Sequence, residues 1–263
     1  MKLSVVIPAH NEEGCIAETI TALYGCLSAD GIPHEIIAVN DNSKDGTEKV
    51  VRGLCEGIPT LIYRDNDGLN GYGFAVREGL RSSSGDYIAI VMADFSDSPD
   101  DLVKYYRKAQ EGFDCVFGSR WIKGATVVDY PFMKKIFNRL ANTLVKLVFR
   151  IKYNDCTNAF KLYRRETIEG CRPFLSPHFN LTLELPLKAI VRGYSYEVIP
   201  CDWRNRKAGE SKLKIKEMGS RYFFILLYCL IEKYFSRGDF HKSVKQQHEG
   251  PQPAGVPTKI ELT

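Results

Sequence analysis

The sequence predicts an α/β fold with a mostly parallel central sheet, helices on both of its faces, and amphipathic helices toward the C-terminus. Three observations carry that reading. Apolar, strand-like runs alternate with helix-like segments from the N-terminus to residue 120. The runs are apolar throughout rather than at every second residue, which marks strands buried on both faces. Polar residues gather where those runs end, and ligands of open parallel sheets sit beyond the carboxyl ends of the strands.

LSVVIP (3–8) is a β-branched run stopped by Pro8, a buried strand. Asn11 offers an N-cap for a helix through EEGCIAETITALYGCLSA, ending before Asp30-Gly31. HEIIAVND (34–41) is the second strand, with a helix opening in SKDGTEKVVRGLCEG. PTLIYRD (59–65) is the third, and GLNGYGFAVREGLRSS a glycine-rich turn running into a helix. DYIAIVMAD (86–94) is the fourth. SPDDLVKYYRKAQEG (98–112) is a helix with Ser98 as cap, Pro99 in the first turn and acids at its positive end. DCVFGSR (114–120) is the fifth strand.

After residue 124 the pattern changes. YPFMKKIFNRLANTLVKLVFRI (130–151) is an apolar helix decorated with lysine and arginine, and IKEMGSRYFFILLYCLIEKYF (215–235) is a second one containing a ten-residue apolar run. Such helices either pack their apolar sides on the sheet or lie in a membrane interface, where anionic headgroups attract their cations. For the second, apolar around its whole circumference, membrane or partner contact is the expectation. FNLTLELPLKAIVRG (179–193) and the strand-like YSYEVIPCDWRNR (194–206) lie between them, followed by the basic loop KAGESKLK.

The 263 residues are 44% hydrophobic and 26% charged, enough for one large domain with appendages. A formal charge of +4 is too mild for a dedicated nucleic-acid binder. The eight cysteines show no CxxC spacing, so neither a zinc site nor a disulfide framework is expected, and reduced thiols suit a cytoplasmic protein. No run of about 20 apolar residues predicts a spanning helix.

The acid-rich tip IAIVMADFSDSPDDL (88–102) is the most informative stretch. Asp94 and Asp97 offer the hard oxygen ligands that Mg²⁺ or Mn²⁺ prefer; the plainer alternative is that the acids from Asp97 onward cap the next helix. Asp41 ends the second strand, where a carboxylate accepts hydrogen bonds from a base or ribose, or forms an Asx-turn. The glycines at 68, 71, 73 and 79 follow the wrong strand, at the wrong spacing, for a dinucleotide fingerprint, and no GxxxxGK[ST] loop exists. Arg204, Arg206, Lys207 and Lys212 flank AGES, a loop able to close over phosphates or simply to be solvated.

Taken in order, VVIPAHNEE, VNDNSKDGT, the acid-tipped fourth strand, FGSR, NDCTNAFKLYRR and WRNRKAGESKLK resemble the inverting nucleotide-sugar glycosyltransferases of family 2, most of all the dolichol-phosphate (polyprenyl-phosphate) mannosyltransferase branch. The resemblance covers roughly residues 1–235. It implies a GT-A fold and transfer of a hexose, mannose first, from a GDP- or UDP-sugar to a polyprenyl phosphate, with Mg²⁺ or Mn²⁺ as cofactor. It implies a catalytic domain over 1–210 followed by an interfacial helix over 211–240; from about His241 the chain turns polar, with Pro251, Pro253 and Pro257 and little to bury, so a disordered tail over 241–263 is expected. By position, Pro8, His10 and Glu12 line the nucleotide pocket, with His10 standing where the family often has tyrosine. Asp41 contacts base or ribose, and Asp94, with help from Asp97, holds the metal. Arg120 and Arg139 meet the acceptor phosphate; Arg206 and Lys212 grip the donor diphosphate. The implied setting is the cytoplasmic face of a membrane, reached through the interface helices or a membrane-anchoring partner subunit, with no nucleic acid involved.

One departure is plain. The family reads Asp-Ala-Asp and then, two residues later, Gln; here Met92 replaces the first acid and Ser96 the Gln. Methionine is a poor ligand for a hard cation. Two alternatives follow: a UDP-sugar transferase acting on a saccharide or protein, with Glu184 as its base, and a non-catalytic scaffold subunit. A nicotinamide dehydrogenase is disfavoured, because the first strand turn lacks glycines.

Overall fold

The computed structural model describes residues 1–206 and 215–242, with side chains from 219 onward in the second segment. Lys212 and nearly all of the expected tail lie outside the described residues.

The strands are β1 (Leu3–Ala9), β2 (His34–Asn40), β3 (Leu61–Asp65), β4 (Tyr87–Ile90), β5 (Cys115–Ser119), β6 (Val127–Val128), β7 (Lys161–Arg164), β8 (Tyr196–Pro200) and β9 (Trp203–Arg204). The helices are α1 (Ile16–Ala29), α2 (Thr47–Cys55), α3 (Tyr72–Ser82), α4 (Pro99–Gln110), α5 (Phe132–Phe149), α6 (Arg165–Gly170), α7 (Leu181–Val191) and α8 (Ile215–Phe235).

Seven strands form one sheet in the order β3-β2-β1-β4-β7-β5-β8, and β6 pairs with β9 in a small second one. The mostly parallel sheet is as expected: β1, β2, β3 and β4 run parallel, and so do β5 and β8. The sequence did not disclose β7, which enters antiparallel between β4 and β5. Its four residues, KLYR, carry two cations and no apolar run.

Both faces are covered, which explains why the strand runs do not alternate. Leu3, Val5 and Ile7 of β1 face a core shared with Ile16, Ile20 and Leu23 of α1 and Leu102 of α4. Val6 points the other way, into a core with Val76 and Leu80 of α3, the leucines of α7, and Ile225 and Cys229 of α8. A two-residue period with apolar residues in both phases reads as one continuous run. The fully buried Arg192–Glu232 pair (2.7 and 2.8 Å) ties the end of α7 to α8. All eight cysteines are free thiols, and most are buried.

Two expected caps are not made. α1 begins at Ile16 with Cys15 at its N-cap. Asn11 instead adopts a left-handed backbone (φ 51°), and its side-chain oxygen accepts the Lys44 N–H at 2.7 Å, stapling the β1 loop to the β2 loop. Ser98 stands at the N-cap of α4 without a side-chain cap bond. Asp101 there is buried and accepts the Asp202 N–H at 2.6 Å.

Opposite the ligand end, Glu35 accepts hydrogen bonds from the Lys2 ammonium, Ser4 (2.6 Å) and Ser84 (2.6 and 2.8 Å). Burial pushes its carboxyl up, yet these donors outweigh burial and hold the pKa at about 2. The unfolded value is about 4.3. A depressed carboxylate contributes stability above the unfolded pKa and loses it as pH falls through the folded one. Glu35→Gln is therefore expected to lower Tm at neutral pH, with the gap to wild type closing as pH falls from about 4 toward 2. A gap unchanged across that range would refute the ionic account.

Candidate active site

A cavity of about 1050 Å³ opens at the C-terminal tips of β1, β2, β4 and β5. Six of the residues expected there from sequence line it together: Pro8, His10, Glu12, Asp41, Asp94 and Asp97; Arg120 and Arg206 line it too. Arg139 does not. It lies over the Trp121 ring, 5.5 Å from the centroid, and the α5 cation in the cavity is Lys134.

The part of the cavity around Asp41 and His10 is built from loops that leave the sheet. Asp41 follows β2 and is 4% exposed; its carboxylate accepts Asn66 Nδ2 at 2.7 Å and the Gly71 N–H at 3.0 Å. His10 Nδ1 lies 2.6 Å from the Asp41 carbonyl oxygen, so that nitrogen carries the proton. Gly71 serves a close approach of chain to chain. A Cβ there would lie 2.6 Å from the Pro177 carbonyl oxygen and 2.8 Å from His178 Nδ1.

Past β4 the chain leaves the ladder at Ile90, earlier than the sequence suggested, and Met92–Asp97 fold into the cavity floor. Asp97 is buried, which pushes its pKa up to about 7; Asp94 adds to this, and the Met92 N–H and Arg120 oppose it. Asp94 Oδ2 meets Arg206 Nη2 at 2.6 Å, and Arg206 Nη1 lies 3.4 Å from Glu12. Two neighbouring carboxylates, one of them unfavourably charged by burial and by the other, fit a divalent cation. Their oxygens are the right donors for Mg²⁺ or Mn²⁺, and the Met92 thioether is the wrong one. Among the described residues no third acid, histidine or cysteine completes a protein-only cage, so further ligands would be water or phosphate oxygens.

Arg120 lines the cavity and is also paired within the protein. Its guanidinium forks onto Asp155 (Nε–Oδ2 and Nη2–Oδ1, both 2.8 Å), with both side chains buried. Burial works against its charge, and Asp155 more than compensates, raising its pKa above the ordinary value. The sequence named no role for Asp155, although it lies within NDCTNAFKLYRR. The same loop is anchored by Lys161, whose buried ammonium donates to the carbonyls of Cys156 and Thr182 (3.0 Å each) and of Asn158. Burial lowers its pKa to about 7. Glu184 is not placed to act as a base: it is absent from the cavity lining and fully buried, where it pairs with Lys188 at 2.6 Å and accepts the N–H groups of Leu175 and Ser176.

The same cavity is also lined by apolar side chains: Phe137, Leu144 and Val145 of α5, Leu183 of α7, and Phe223 and Leu226 of α8, with the half-buried Lys134 of α5 beside them in the lining. The outer faces of both helices are apolar and exposed, including Met133, Ile136, Leu140 and Leu147 on α5 and Phe224, Leu227 and Ile231 on α8. Among the described residues no helix is long and apolar enough to cross a membrane.

Comparison with known proteins agrees with this arrangement. Residues 4–171 match the model of glycosyl transferase family 2. The dolichol-phosphate mannosyltransferase of Pyrococcus furiosus is 31% identical over 220 residues, covering 82% of this chain and 60% of the relative. The chain thus spans less than two thirds of that protein's length. The polyprenol monophosphomannose synthase of Mycolicibacterium smegmatis is 26% identical over 220 residues, 80% of each protein. Glucosyl-3-phosphoglycerate synthase from Mycobacterium tuberculosis, solved with Mn²⁺, UDP-glucose and phosphoglyceric acid, superposes with a TM-score of 0.68 at 17% identity over 87% of this chain and 79% of that one, a likeness of fold.

Proposed function

The chain belongs to glycosyl transferase family 2, and from that premise we propose that it transfers a hexose, mannose first, from a nucleoside diphosphate sugar to a polyprenyl phosphate with inversion. One observation carries the reading: a single cavity is lined both by carboxylates with Arg206 and by apolar side chains of α5, α7 and α8, which we take as its two ends. The first end suits a nucleotide and its diphosphate, the second a lipid chain, and a cation in the lining suits a lipid phosphate between them.

His10 and Asp41 border the base and ribose, and Arg206 turns from Asp94 toward the diphosphate as it arrives. A divalent cation held by Asp94 and Asp97 would neutralise charge gathering on the departing diphosphate. An oxygen of the lipid phosphate attacks the anomeric carbon, the bond from that carbon to the diphosphate oxygen breaks, and the nucleoside diphosphate leaves with the electron pair. The attacking group is already an anion, so it needs positioning and no general base. The engagement of Glu184 by Lys188 accords with this, since a hydroxyl acceptor would need a base. Lys134 and Arg120, which both line the cavity, supply positive charge where the lipid phosphate would lie; Arg139, over the Trp121 ring and outside the lining, would add only longer-range attraction. The membrane setting, on the cytoplasmic face, belongs to the same proposal.

The test is a thermal-shift panel of GDP-mannose, UDP-glucose and UDP-N-acetylglucosamine, each with and without Mn²⁺. Stabilisation by one donor, dependent on the metal, is expected, followed by labelling of polyprenyl phosphate and not of free sugars by that donor. No shift with any donor would overturn the reading.

A further inference from the structure

We infer that Trp203 and Tyr130 form the wall on which the transferred hexose rests; this deepens the proposed function and rests on it. If the diphosphate lies at Asp94 and Arg206 and the acceptor phosphate at Lys134, the sugar must lie between. Two half-buried aromatic rings line the same cavity, Trp203 bridged to Asp97 of the carboxylate loop and Tyr130 under Arg120. They touch each other, with centroids 4.8 Å apart and planes at 55°. Arg120 lies 5.5 Å over the Tyr130 ring and Trp121 meets that ring edge-on at 5.4 Å, so Tyr130 is held from behind. The Trp203 indole N–H donates to no acceptor among the described residues, leaving a donor beside an apolar face. A pyranose presents both complements, C–H groups with slight positive charge for the negative ring face and hydroxyl oxygens for an N–H.

The wall is also fixed relative to the carboxylates. Trp203 bridges antiparallel to Asp97, and the Arg204 N–H donates to the Ser96 carbonyl at 3.0 Å. On the other side the Trp203 N–H donates to Thr126 at 2.8 Å, within the β6–β9 pairing that leads on to Tyr130. These are backbone contacts, so they survive a change of side chain. A core aromatic would be buried, and an incidental surface aromatic would not be stitched to the loop that carries the candidate metal ligands. Trp203 also lines a second cavity of about 320 Å³, together with Glu18 and Asp202.

The experiment compares nucleotide with nucleotide sugar. GDP against GDP-mannose, and UDP against UDP-glucose, are titrated with Mn²⁺ into wild type, Trp203→Leu, Trp203→Phe and Tyr130→Leu. For the pair that binds, Trp203→Leu is expected to leave the diphosphate Kd within about twofold. It should raise the ratio of sugar-nucleotide Kd to diphosphate Kd by about tenfold, the scale of one aromatic contact. Tyr130→Leu should move the ratio the same way, and Trp203→Phe should retain most of it. Equal weakening of both ligands, or an unchanged ratio in both leucine variants, overturns the inference. If wild type binds neither nucleotide, the proposed function itself fails and takes this inference with it.

Discussion

Asp94→Asn is expected to reduce hexose transfer by about two to three orders of magnitude and to remove the metal dependence of donor binding, with the fold intact. The magnitude is that of deleting one preorganised electrostatic element aimed at developing charge. The substitution keeps the volume of the side chain and removes its charge. Within the protein, Asp94 is bonded to Arg206 at 2.6 Å and to the Ser96 N–H at 3.2 Å, and an asparagine oxygen can retain the second. Little stability is at stake, because the loop is also held by Asp97 on the Met92 N–H and by Arg204 on Ser96. The effect on charge is larger than at an ordinary D-x-D site, since Met92 supplies no second carboxylate from the first position. What remains is Asp97 alone, which burial already disfavours as an anion. Transfer rates and Mn²⁺ titrations on purified protein, with unfolding curves beside them, measure all three parts. Transfer unchanged in Asp94→Asn, in membranes where removal of the chain abolishes it, would instead establish the scaffold alternative.

How far the site could be read from sequence depended on what held each residue in place. Asp41, Asp94 and the Pro8–Glu12 stretch were legible because a buried strand must end somewhere, and a charged residue directly after an apolar run has to leave the core at the tip. That argument uses only local pattern. Arg120 was legible as a strand-tip residue and illegible as a bidentate partner of Asp155, 35 residues away in a loop without periodicity. Glu184 and Lys188 sit one helical turn apart, so their pairing was available from spacing; its burial in the α7 core was not. β7 escaped because four residues with two cations resemble a loop until the neighbouring strands supply ladders on both sides. Trp203 and Tyr130 lie on short segments whose pairing exists only in three dimensions, and no sequence signal separated them from the other aromatics. The helix α8 looked apolar all round, and in the structure its faces divide. Ile225 and Cys229 enter the core, and Phe224, Leu227 and Ile231 do not.

That division sets up the second large effect. Leu140→Glu, Leu147→Glu and Phe224→Glu combined are expected to weaken binding to anionic phospholipid vesicles by at least a thousandfold, with Mn²⁺-dependent donor binding unchanged. All three side chains are exposed, at 66%, 68% and 56%, and none lines the cavity, so neither fold nor donor pocket is touched. Each apolar side chain of this size contributes about 1.5–3 kcal/mol on full burial. Three of them come to about 4.5–9 kcal/mol on full burial, a range that covers the roughly 4 kcal/mol of a thousandfold change once the part already covered is discounted. The glutamates add repulsion from the anionic surface. Lys135, Lys146 and Arg150 are exposed on and just after the same helix, and each cation near such a surface adds about 1 kcal/mol. Wild-type binding should therefore weaken with salt, whereas replacing Lys135 and Lys146 by glutamine should remove most of the salt dependence and leave the apolar part. Co-sedimentation at two salt concentrations separates the contributions. A wild type that ignores anionic vesicles altogether would move these faces from lipid to a protein partner, and the route by which the apolar part of the cavity receives its lipid would then run through that partner.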